Sequence, residues 1–167
     1  MKTILLVEDN DAIREDVADI LALANYKVIT AKNGKEGIEK SMENIPDLIV
    51  SDIMMPVLDG FGMLHMLRRD PKTEAIPVIF LTAKTERNDI RNAMESGADD
   101  FITKPFNNDE LLKAIENRFR KMAIMTNKIS HDIQGINELL EVNNDKLKQN
   151  LETLSKDRDI NIYQKNR

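Results

Sequence analysis

The chain is predicted to fold as a doubly wound α/β sandwich, with five parallel strands in the order 2-1-3-4-5 and helices on both faces. Three observations lead there. Five short β-rich runs, "TILLV", "KVIT", "DLIVS", "PVIFLT" and "DFIT", punctuate the first two thirds of the chain. The first, third and fourth are almost continuously apolar, as strands buried on both faces of a parallel sheet are. Amphipathic stretches separate the runs, and such alternation implies right-handed βαβ units with the strand order given above.

Each element has its own local reason. "TILLV" opens the chain as a buried central strand, and Ile13, Val17, Ile20, Leu21 and Ala24 then form one apolar stripe at helical spacing. "KVIT" follows as the second strand. Gly34 to Met42, Phe61 to Arg68 and Arg87 to Met94 give the next amphipathic helices, interleaved with "DLIVS", "PVIFLT" and "DFIT". From Arg118 onward there is no proline, one glycine and no strand signal until the last few residues. The expected organisation is a globular domain over residues 1–120, a helical coiled-coil extension over 121–155, and a strand-like tail over 156–167 that could open a further domain.

Composition narrows the chemistry. A net charge of −5 argues against broad nucleic-acid binding through this segment. The absence of cysteine excludes disulfides, thiolate metal sites and cysteine nucleophiles. No apolar run reaches membrane-spanning length, and "MKTILLVEDN" is too short and too acidic for a signal peptide, so a cytoplasmic location is expected.

The residues that end the strands carry the chemistry. Glu8 and Asp9 follow the first strand, Asp52 the third, Thr82 the fourth and Lys104 the fifth. Ligands of open α/β sheets bind outside the carboxyl ends of the strands, where the winding reverses, so these groups should share one crevice. Three carboxylates in one place resist joint ionisation unless a cation is present. Hard oxygen ligands without His or Cys suit Mg²⁺. A carboxylate facing Mg²⁺, a hydroxyl and an ammonium is equipped to accept a phosphoryl group. Asp52 is then the nucleophile, the metal and Lys104 neutralise charge, and Thr82 holds one phosphoryl oxygen.

The motifs "LLVEDN", "SDIMMPVLDG", "PVIFLTA" and "GADDFITKPF" stand at the spacings of a known family. Through them, residues 1 to about 120 resemble the receiver domain of two-component response regulators, which has a flavodoxin-like fold. The resemblance implies Asp52 as phospho-acceptor, with a sensor histidine kinase or phosphotransfer protein as donor. It implies Glu8, Asp9, Asp52 and the main-chain carbonyl of Met54 around Mg²⁺. It implies Thr82 and Lys104 as phosphoryl contacts, with the small Ala83 leaving the acyl phosphate open to water and partner. Thr82 and Phe101 would form the switch pair. Phe101 lacks the hydroxyl of the tyrosine often found there, so it would work by packing alone. Lys104–Pro105 matches a bond that is usually cis in the family.

Taken singly, these residues have ordinary readings: a turn acid at Asp52, helix-capping acids at Glu8 and Asp9, a solvated Lys104. Their joint spacing outweighs those readings. An aspartate-dependent phosphatase would carry a second Asp two residues after the nucleophile as general acid, and Met54 occupies that position. The expected protein is therefore a switch without dedicated enzymatic turnover, with a stand-alone phosphorelay or dimerisation module as the alternative.

The C-terminal third carries a heptad pattern. Beyond the part buried by the globular domain, Met122, Thr126, Ile129, Ile133, Ile136, Leu140, Asn143, Leu147, Asn150 and Leu154 form an a/d seam of a parallel two-stranded coiled coil, predicting a homodimer. His131, in "KISHDIQGINELL", faintly resembles the phosphorylated histidine of sensor kinases but lacks the proline usual in that motif, and reads as a surface residue. The final "SKDRDINIYQKNR" alternates like a strand and faintly resembles the opening of a Crp-like output domain, so a transcriptional output is expected beyond it.

Overall fold

The computed structural model describes residues 1–83 and 97–165, with side chains to residue 156. The expected Arg87–Met94 helix lies outside the described residues. The chain divides into two units, Met1–Phe119 and Arg120–Arg167.

The first unit holds β1 (Thr3–Val7), α1 (Asp11–Leu23), β2 (Lys27–Ala31), α2 (Gly34–Asn44), β3 (Leu48–Asp52), α3 (Gly60–Leu67), β4 (Val78–Ala83) and β5 (Asp100–Lys104). A final helix, α4, is assigned over Asn108–Lys165. The strands form one parallel sheet in the order β2-β1-β3-β4-β5. Alternation along the strands builds two cores. Leu5, Val7, Ile49, Val78 and Phe80 pack with Met63, Leu64 and Leu67 of α3 on one face. Ile4, Leu6, Val50, Ile79 and Leu81 pack with Val17 and Leu21 of α1 and Leu111 and Ile115 of α4 on the other. Both faces are covered, which is why β1, β3 and β4 read as apolar runs rather than alternating ones.

Short polar side chains start the helices. Asn10, Asn33 and Asp59 each accept a hydrogen bond from a first-turn backbone N–H, of Ile13, Glu36 and Gly62 respectively. At α4, Asn107 and Glu110 cap each other reciprocally, side chain to backbone N–H in both directions. The α1 stripe is narrower than its sequence suggests. Val17 and Leu21 are buried, Ile13 is exposed, and Arg14 takes an inward position instead.

Two departures from expectation concern α4. The strand-like tail is helical instead, since the helix continues through residues 156–165. Alternation over "INIY" is short, and no Gly or Pro after Gly135 offers a stop. The strand that suggested a Crp-like opening is therefore absent. Near the start of the helix, the fully buried pair is Leu111 and Ile115, with Leu112 only partly buried. No helix among the described residues is long and apolar enough to cross a membrane.

Two close approaches shape the loop after β3. A Cβ on Gly60 would stand 2.6 Å from the Asp52 carbonyl oxygen and 2.8 Å from the Phe80 ring, so α3 can begin this close to β3 only with glycine. Three residues earlier, Val57 is held at φ 70°. A β-branched side chain is strained there, at a cost of ~1–2 kcal/mol, while glycine adds about 0.5–1 kcal/mol of chain entropy to folding. Val57→Gly is accordingly expected to stabilise the protein by ~0.5–1 kcal/mol, read as a higher urea midpoint at unchanged slope. An unchanged or lower midpoint would mean that the loop carries no such strain.

Candidate phosphoryl-acceptor site

Register builds the site. Val7 pairs with Ser51, so Glu8 and Asp52 leave the two central strands at the same level, where the winding reverses. Asp52 pairs with Leu81, which places Thr82 one step beyond it on β4. Ala83 pairs with Lys104, which carries the lysine to the same end of the sheet on β5. Residues nearly a hundred positions apart in the chain thus meet at one carboxyl edge.

The lysine is shared by two acids. Lys104 Nζ donates to Glu8 Oε2 at 2.9 Å and lies 3.3 Å from Asp52 Oδ2. The other Asp52 oxygen accepts from the Ile53 backbone N–H at 2.8 Å. Glu8 is 1% exposed. Its remaining oxygen accepts from the Asn10 backbone N–H, and Arg14 Nη1 donates to its carbonyl at 2.8 Å. Arg14 also pairs with Asp11. Asp9 is exposed. One oxygen from each of Glu8, Asp9 and Asp52 falls within a 4.8 Å group.

Electrostatics show a site short of positive charge. Burial pushes the Glu8 carboxyl above its ordinary range, and the neighbouring Asp52 charge adds to that, while the hydrogen bond and charge of Lys104 offset only part. Burial alone would lower Lys104. The Glu8 hydrogen bond and the Asp52 and Glu8 charges outweigh it and hold the ammonium above its usual value. One lysine therefore serves a buried carboxylate and the strand-end Asp52 while a third acid stands beside them. All three acids offer hard oxygen donors, and no softer ligand accompanies them, which is the donor set that suits Mg²⁺.

The remaining expected residues fall around this centre. Thr82 is buried, and its hydroxyl donates to the Ala83 carbonyl at 3.2 Å, while Ala83 itself is exposed. Phe101 is partly buried against the core on the α3 face. The Lys104–Pro105 bond is cis. The Met54 side chain is 77% exposed, whereas Met55 is buried. The seam residues Met122 to Leu154 and His131 lie in the second unit, exposed apart from the partly buried Met122.

Two contributors were missed by sequence reasoning. Arg14 buttresses the Glu8 backbone from within a helix, and nothing in "DAIRED" separates it from a solvated arginine. At the far end of the sheet, Asp99 accepts from the Val78 backbone N–H at 2.8 Å, pairs with Arg68 at 3.2 Å, and also pairs with Arg118. The doubled acid of "GADD" was its only signal.

This fold and this edge of acids and lysine define a receiver-type switch of phosphoryl-transfer signalling. Residues 4–116 match the response regulator receiver domain, and the chain belongs to that family. Receiver domains are signalling switches rather than dedicated enzymes. The chain is 40% identical over 121 residues to the DNA-binding dual master transcriptional regulator RpaA of Synechocystis, covering 72% of this chain and 50% of that protein. It is 40% identical over 114 residues to hybrid signal transduction histidine kinase D of Dictyostelium discoideum, covering 68% of this chain and 7% of the kinase. The chain thus spans half or less of these two relatives. Among solved structures, the receiver domain of a sensor histidine kinase from Pseudomonas aeruginosa is similar at TM-score 0.65 and 29% identity, over 70% of this chain and 95% of that one. That structure was solved with a magnesium ion coordinated in its active site cleft.

Proposed function

We propose that this chain is a phosphorylation-controlled switch that takes a phosphoryl group onto Asp52 from a phosphohistidine of a sensor kinase or phosphotransfer protein. The observation that carries this reading is the sharing of Lys104 by Glu8 and Asp52 at the carboxyl edge of the sheet. In the transfer, an Asp52 carboxylate oxygen forms the new P–O bond. The donor's P–N bond breaks, and the donor imidazole keeps the electron pair and takes up a proton. Lys104 would turn from the carboxylates toward the new phosphoryl oxygens. The Thr82 hydroxyl would leave the Ala83 carbonyl to bind one of them, and Phe101 would repack behind it. Glu8, Asp9, Asp52 and the Met54 carbonyl would hold Mg²⁺, which supplies charge neutralisation for the transfer. Histidine-kinase relatives support such a donor. The output would be reached through α4, by self-association of its exposed part and a change in that pairing, with a transcriptional target as in several relatives.

Labelling by a small phosphodonor tests the centre of this reading. With acetyl phosphate and Mg²⁺, intact mass should rise by one phosphoryl group, mapped by peptide to Asp52. In excess chelator the rate should fall about tenfold or more. Equal rates with and without chelator would remove the metal from the scheme, and a label on any other residue would remove Asp52.

A further inference from the structure

The exposed part of α4 carries an apolar row that a strict heptad does not describe best. Ile129, Ile133 and Ile136 recur eighteen residues later as Leu147, Leu151 and Leu154, and Met122 recurs as Leu140. The same spacing reaches back to Leu111 and Ile115, the residues of this helix buried in the receiver core. Eighteen residues make five turns at about 3.6 residues per turn, the repeat of an undistorted α-helix. A row with that period stays on one side of a straight helix, whereas a seven-residue repeat drifts by about 20° per heptad and imposes left-handed supercoiling. The two descriptions differ at one place: the heptad seats Asn150 in the seam, and the eighteen-residue repeat seats Leu151.

From Ile129 to Leu154, these seven Ile and Leu side chains are 52% to 65% exposed, far more apolar surface in one row than a solvated helix needs. Burying each removes roughly 60–120 Å² of apolar surface, so the row supplies several hundred Å², comparable with the ~800 Å² per partner of a standard interface. The bordering residues favour a copy of the chain as occupant. Asn137, Asn143, Asn144 and Asn150 lie beside the row. An amide both donates and accepts, so each can bond its own counterpart in a parallel, in-register pair, and none selects a foreign partner by charge.

We infer that two copies of this chain pair in parallel through a nearly straight seam of Met122, Ile129, Ile133, Ile136, Leu140, Leu147, Leu151 and Leu154. The inference rests on the self-association proposed above and specifies its geometry. A straight seam gives a sliding or rotating signal a different path from a supercoil, because no superhelical twist has to be unwound.

The native chain has no cysteine, so single cysteines report the seam without interference. In the full chain, Ile133→Cys, Leu147→Cys, Asn150→Cys, Leu151→Cys and the outward His131→Cys would be oxidised under identical mild conditions. Disulfide-linked dimer would be timed on gels, and sedimentation would give the state of the cysteine-free parent. Leu151→Cys should crosslink as fast as Ile133→Cys and Leu147→Cys, and at least tenfold faster than Asn150→Cys and His131→Cys. If Asn150→Cys matches or beats Leu151→Cys, the pair is a heptad coil and the straight seam is overturned. If the parent is a monomer at tens of micromolar and no position links faster than His131→Cys, self-pairing is overturned as well. Acetyl phosphate labelling of the same samples reports the receiver separately, so failure of the seam and failure of the switch are distinguishable.

Discussion

Asp52→Asn is expected to abolish phosphoryl labelling while leaving the receiver folded. The amide nitrogen is not a nucleophile and the amide oxygen carries no full charge, so the acceptor is lost outright. Little stability should go with it. Lys104 keeps its closer partner, Glu8, at 2.9 Å, and the Ile53 N–H can still find an amide oxygen. Removing the Asp52 charge also relieves Glu8, whose ionisation it opposes. The folding free energy should therefore move by no more than about 1 kcal/mol. Intact mass after acetyl phosphate treatment measures the first effect and urea unfolding the second. One phosphoryl group added to the variant at the wild-type rate would show that the acceptor lies elsewhere. Loss of labelling together with a collapsed unfolding transition would show that Asp52 is structural.

The second large effect is expected far from that edge. Asp99→Ala should destabilise the protein by about 2–4 kcal/mol, because a partly buried acid that holds two cations cannot be removed alone. The Asp99 carboxylate joins the start of β4, the end of α3 and the final helix through Val78, Arg68 and Arg118. Burial already lowers Arg68, the Asp99 charge restores part of this, and the neighbouring Arg118 charge opposes it. Without Asp99 the two guanidinium groups face each other with no acid between them, and the Val78 N–H loses its acceptor. Asp99→Asn keeps an acceptor for Val78 and loses only the charge, so it should cost less than Asp99→Ala. Urea midpoints of the two variants decide this. Equal midpoints for wild type and Asp99→Ala would mean that solvent replaces the carboxylate at no cost.

Strand identity and sheet order were legible in the sequence because both faces of the sheet are covered. A strand buried on two sides must be apolar throughout, and "TILLV", "DLIVS" and "PVIFLT" had no other comfortable place. The acids at strand ends were legible for the same reason, since a carboxylate after an apolar run can only sit at the sheet's edge. What fixed the site was register. Only pairing of Val7 with Ser51 and of Ala83 with Lys104 brings the lysine between Glu8 and Asp52, and no local pattern encodes a contact across ninety-six positions.

Arg14 and Asp99 were illegible because their value lies wholly in tertiary partners: a backbone carbonyl for one, two arginines and a strand N–H for the other. The tail shows the converse limit. Alternation over four residues, "INIY", competes weakly with a helix that has already paid its nucleation cost and meets no Gly or Pro. Periodicity showed that an apolar row runs along that helix. Whether the row is seven or eighteen residues in period turns on a one-position choice between Asn150 and Leu151, and packing between two chains makes that choice. Local sequence thus determined which segments are strands and helices and which acids reach the sheet edge. Long-range pairing alone decided which charges meet, because a charge's partner is set by where other segments place theirs.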